Sequence, residues 1–107
     1  MVTLKLVHDY DSAARRLGNR QSLKLGYETV LHRHPDGYAV RHFATDIVVY
    51  RRDGSVRLDT GGWYSRTTFD RIRQLAASVY SDHGQPWVFE NGQRVQPYYD
   101  GMEIVPR

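Results

Sequence analysis

The chain has 107 residues, 40% of them apolar, no cysteine and a formal net charge of +3. That length suits one domain, residues 1–107, with a modest core, and without cysteine neither disulfides nor thiolate metal sites are available, so packing alone must hold the fold. No apolar run is long enough to cross a bilayer, and Lys5, His8 and Asp9 interrupt the segment where a secretory signal would be apolar, so the expectation is a cytoplasmic protein with no membrane partner.

Residues Val2 to Val7 alternate in the manner of a strand with one buried face. Asp11 or Ser12 can cap a short helix over Ala13 to Leu17, with Gly18 as its stop. From about Gln21 the pattern becomes strand-like. Thr29–Arg33 and Tyr38–Phe43 flank Pro35-Asp36-Gly37, and Thr45–Tyr50 and Ser55–Asp59 flank Asp53-Gly54, the strongest kind of short hairpin signal. Ile47 to Tyr50 is apolar on both faces, which predicts a central strand covered on both sides.

Asp59-Thr60-Gly61-Gly62-Trp63 then breaks the strand run. Thr67 or Thr68 opens a predicted helix over about 67–79, on which Phe69, Ile72, Leu75, Ala76 and Val79 share a face and Thr67 with Asp70 has the spacing of a capping box. Asn91-Gly92 joins Pro86–Glu90 to Gln93–Gln96, and Met102–Val105 reads as a last strand. The fold class is therefore α+β: antiparallel hairpins and a β-meander packed on one main helix, with a short N-terminal helix.

The run Thr45-Asp46-Ile47-Val48-Val49-Tyr50, Asp53-Gly54, Val56, Leu58 to Trp63 and Thr67-Thr68 resembles a widespread group of small proteins encoded by tailed bacteriophages. Leu17-Gly18-Asn19, Trp87-Val88 and Asn91-Gly92 share the likeness. The resemblance implies an accessory protein expressed in the cytoplasm of a bacterial host, and it brings no activity with it. An inhibitor of a bacterial antiviral defence would fit such a protein, its partner being a host protein or an anionic nucleotide.

Gly61 and Gly62 can turn successive N–H groups into one concavity beside the start of the main helix, and Trp63, Arg66, Thr67 and Arg71 stand within reach of it. These six are the candidate anion-binding residues. The plainer reading makes Gly-Gly a tight turn and Trp63 a core anchor. Tyr98 and Tyr99, in the loop from Pro97 to Gly101, are candidate partner-binding residues, because aromatic side chains in a loop are the ones most readily exposed. Thirteen of the fifteen cations are Arg. Their fork suits phosphate, although GC-rich codon usage gives the same bias and +3 alone does not demand nucleic acid. Arg33, Arg41 and Arg57 with Tyr38, Phe43, Tyr50 and Tyr64 would be the parts of a nucleic-acid binder, the second functional reading.

His32, His34 and His42 lie on one hairpin. A three-residue loop sets His42 opposite His32 and allows a three-His site, whereas a two-residue loop turns His42 to the other face. A hydrolase or nuclease using these histidines is the third reading. Asp59-Thr60-Gly61 copies the aspartic-protease triplet, but the chain after it is short for the second half of such a site. No catalytic set, metal site or cofactor motif is predicted, and exposed sheet edges leave room for a homodimer.

Overall fold

The computed structural model describes residues 7–105. The predicted strand over Val2 to Val7 falls, except for Val7, outside the described residues. The elements are α1 (Tyr10–Leu17), β1 (Ser22–Gly26), β2 (Thr29–His34), β3 (Gly37–His42), β4 (Thr45–Arg51), β5 (Val56–Leu58), α2 (Arg66–Leu75), β6 (Ser78–Asp82), β7 (Gln85–Glu90), β8 (Gln93–Pro97) and β9 (Glu103–Ile104). The α+β class with a short N-terminal helix holds.

The strands form two antiparallel sheets, one in the order β1-β2-β3-β4-β5-β9 and one in the order β6-β7-β8. The first is the predicted meander, closed by β9 beside β5. Both helices pack on one face of it: the Tyr10 ring packs at a tilt against Tyr38 with centroids 5.1 Å apart, and the buried Tyr50 hydroxyl donates to the Leu75 carbonyl at 2.7 Å. Val79 and Val88 carry the second sheet into the same core as Leu31, Val48, Leu58 and Ile72. Strand β4 is central and its residues Ile47 to Tyr50 are all buried, as its two-sided apolar pattern predicts. On the face away from the helices, Ala39 and Val49 sit in a cross-strand row between His32 and Arg57, whose longer side chains flank them.

Capping starts α1 three residues, and α2 one or two residues, ahead of the predicted positions. Asp9 caps α1, accepting from the Ser12 N–H, and Ser12 returns the bond to the Asp9 N–H. Ser65, ahead of Thr67, caps α2: its Oγ accepts from the Thr68 N–H at 3.1 Å. The predicted continuation of α2 to Val79 is wrong. The helix stops at Ala76, and Ser78–Asp82 is a strand in which Val79 is buried while Ser78 and Tyr80 are exposed. Val79 fits both a helical and an alternating pattern. Pairing decides, because His83-Gly84 adopt positive φ and fold β6 back on β7. Asn91 and Gly92 do the same between β7 and β8.

Candidate functional site

The segment after β5 is shaped by two carboxylates. Asp59 Oδ1 accepts from the Gly61 N–H at 2.7 Å and its Oδ2 from Arg57. Asp100, from the loop before β9, accepts from the Thr60 N–H and hydroxyl at 2.8 Å, from the Gly62 N–H at 3.2 Å and from the Tyr98 hydroxyl at 2.7 Å. Burial opposes the charge on Asp100, but these donors outweigh it and hold its carboxyl below the usual value. Burial and then the Asp100 carboxylate push the Tyr98 phenol up. Gly61 has φ +67 and a Cβ there would run into Thr45 Oγ1, so this turn requires glycine on both counts.

The pinned turn forms one wall of a cleft of about 560 Å³. The opposite wall is built from two tight turns, Tyr27-Glu28 between β1 and β2 and Phe43-Ala44 between β3 and β4, tied together by the Phe43 N–H donating to Glu28 at 2.9 Å. Glu28 and Phe43 both take positive φ, a conformation that side-chain-bearing residues adopt at some cost. Three large rings stand at the rim: Trp63 at 75% exposure, Tyr27 at 66% and Phe43 at 57%. Ile47, Thr60 and Thr68 are buried residues that line it.

Beside this lining lies a small polar cluster. The Thr29 hydroxyl donates to the Tyr27 carbonyl at 2.8 Å, which uses its one proton. Its oxygen must therefore accept both from Arg71 Nε at 3.3 Å and from His42 Nδ1 at 3.1 Å. That places the proton of the neutral imidazole on Nδ1. Burial first, and then the charge of Arg71, hold His42 below its ordinary value, so the ring is neutral near pH 7.

The structure brings part of the predicted anion set together. Trp63 and Thr67 line the cleft, whereas Gly61 and Gly62, between the lining residues Thr60 and Trp63, do not, and their N–H groups are engaged by Asp59, Thr60 and Asp100. Arg66 lines a separate depression with Arg73, and Arg71 belongs to the Thr29 cluster. Trp63 is no core anchor. Of the loop tyrosines, Tyr99 is 58% exposed as expected, whereas Tyr98 is buried against Tyr64 and Phe69.

The histidines divide. The hairpin loop has two residues, with His34 opposite Gly37 and His42 opposite Thr29, so His42 faces away from His32 and His34. His32 pairs with Asp46 at 2.6 Å. No group of three metal-ligating side chains occurs among the described residues, and no described helix is long and apolar enough to cross a membrane.

Tyr27 and Asp100 are the site residues that sequence reasoning missed, whereas His42 and Phe43 were expected in other roles, on a histidine hairpin and on a nucleic-acid-binding strand. The turns at Tyr27 and Phe43 lack the Gly, Asn or Asp that announces a turn, and Asp100 reads locally as half of an Asp-Gly step. No curated protein and no solved structure matches the chain significantly. The family model described as Kyanoviridae Gp96 protein matches residues 11–105. That span includes both helices except the first residue of α1, both sheets and every residue of the cleft, and the chain therefore belongs to this family of phage proteins.

Proposed function

We propose that the protein is a phage accessory binding module that works in the cytoplasm of the bacterial host and captures a host protein at the Trp63 cleft. Exposure of Trp63, Tyr27 and Phe43 around one concavity carries this reading. The fold gains nothing from holding three large rings in water, whereas aromatic side chains around a pocket are the usual anchors of a protein interface. An inhibitor of an antiviral defence is the role that a small phage protein with such a surface would serve.

An anionic nucleotide is the second reading, with its base among the rim rings and its phosphates at the N-terminus of α2 by Thr67. The Asp59 and Asp100 carboxylates favour the protein partner. They already engage the Gly61 and Gly62 N–H groups, and they set negative charge beside the place a phosphate would take.

The test immobilises the protein and its Trp63→Ala variant, exposes both to host lysate, and identifies retained proteins and released small molecules by mass spectrometry. A host protein held by the parent and lost by the variant supports the reading. A released nucleotide moves it to the second. Identical captures by both contradict it.

A further inference from the structure

The outward face of the β6-β7-β8 sheet takes no part in the core or in the cleft. Register sets Tyr80 opposite Trp87, and Phe89 follows two residues along β7, so the three rings share this face. The two on β7 are spaced by about 6.6 Å of strand. Tyr80 is 51% exposed, and Phe89 meets it edge-on at 5.8 Å.

Two guanidiniums lie on the rings: Arg73 over Tyr80 at 4.9 Å and Arg94 over Trp87 at 4.8 Å. Each is held by a second contact, Arg73 to the Val79 carbonyl and Arg94 to Asp82, both at 3.0 Å. Arg73 also lines a depression of about 350 Å³ shared with Arg66, Tyr64 and Phe69, and no acidic residue lines it.

We infer that this face binds single-stranded nucleic acid, with unpaired bases stacking on Tyr80, Trp87, Phe89 and the guanidinium planes, and phosphates following Arg94, Arg73 and Arg66. Flat ring faces interleaved with arginine are what a single strand needs, since every base offers a π-face and every nucleotide a negative charge. A duplex keeps its bases stacked and cannot use the rings. A second copy of the chain is a poor occupant, because an isologous contact through this face would set arginines against arginines. The acids near the arginines are already paired, Asp82 with Arg94 at 3.0 Å and Asp70 with Arg73 at 3.6 Å and Arg71 at 3.5 Å.

The test is fluorescence anisotropy of a labelled oligothymidylate of about 20 nucleotides, at about 50 mM salt and upward. Binding should weaken with salt, with a log–log slope near −2 if about three phosphates are neutralised. Tyr80→Ala and Arg94→Ala should each weaken it about tenfold, and Arg94→Ala should make the slope shallower by about 0.7. Arg52→Ala, which removes an exposed arginine from the turn between β4 and β5 of the other sheet, should leave it unchanged. Tyr80 and Arg94 are exposed, and circular dichroism checks that the variants fold. No binding at low salt, equal affinity for a duplex, or equal loss in Arg52→Ala and Arg94→Ala would overturn the inference.

Discussion

Thr60 and Trp63 belong to one turn, three residues apart, yet Thr60 is 2% exposed and Trp63 is 75% exposed. Around Thr60 the polar side chains and turn N–H groups are paired: Asp100 accepts from Thr60, Gly62 and Tyr98, and Asp59 from Gly61 and Arg57. Around Trp63 the rim of Tyr27 and Phe43 holds apolar rings in water. The first region shows a chain folding itself with its own carboxylates, and the second shows side chains for which the fold has no use. Substitutions in the two regions should therefore separate, one set acting on stability and the other on binding.

The largest effect is expected at Asp100. Asp100→Ala strands the Thr60 and Gly62 N–H groups and the buried Tyr98 hydroxyl, and should cost about 3 kcal/mol. In a thermal melt that is a fall in Tm of roughly 12–24 °C for a chain of this size. A fall of only a few degrees would show that water replaces the carboxylate and would dissolve the contrast between the two regions.

Tyr50→Phe comes next. It removes the hydroxyl that satisfies the Leu75 carbonyl near the end of α2 and should cost about 1–1.5 kcal/mol, read as a lower urea midpoint with an unchanged m-value. This calibrates one buried hydrogen bond against the Asp100 cluster.

The pH dependence sharpens the comparison further. The folded pKa of His42 is depressed, so the unfolded chain takes up its proton first. The stability that His42 contributes is present above its unfolded value of about 6.5 and is lost as pH falls from there through the folded value. His42→Gln should flatten that part of the profile in urea melts between pH 7.5 and 5.5. Asp100, also depressed, acts lower: its contribution is present above its unfolded value near 3.8 and disappears as pH falls through the folded value. A parent profile that stays flat from pH 7.5 to 5.5 would contradict the buried neutral imidazole.

Much of the sheet was legible before the structure. Asp53-Gly54, Asn91-Gly92 and Pro35-Asp36 mark hairpins by backbone chemistry alone, and Ile47 to Tyr50 announces a central strand by being apolar on both faces. The reading failed where two patterns fit one residue. Val79 satisfies both periods, and only the His83-Gly84 reversal, a long-range pairing event, makes it strand. At the candidate site, Gly61, Gly62, Trp63 and Thr67 were legible because glycine pairs and caps leave local marks. Asp100 was not, since its partners lie 38 and 40 residues away. Nor was Tyr27, whose turn is completed by Glu28 in αL, and Phe43 was expected within a strand and instead takes the αL position of a turn itself. Trp63 was placed in the right turn and in the wrong environment by its plainer reading, because an aromatic residue beside a helix start looks the same whether it packs inward or stands in water.

The most direct test takes Trp63→Ala through two measurements on the same preparation: Tm by circular dichroism and capture of host proteins from lysate. The account predicts a Tm within about 2–4 °C of the parent, as for a surface change of up to about 0.5 kcal/mol, together with loss of a host protein that the parent retains. A Tm depressed as far as in Asp100→Ala, with the folded fraction capturing the same proteins as the parent, would contradict it.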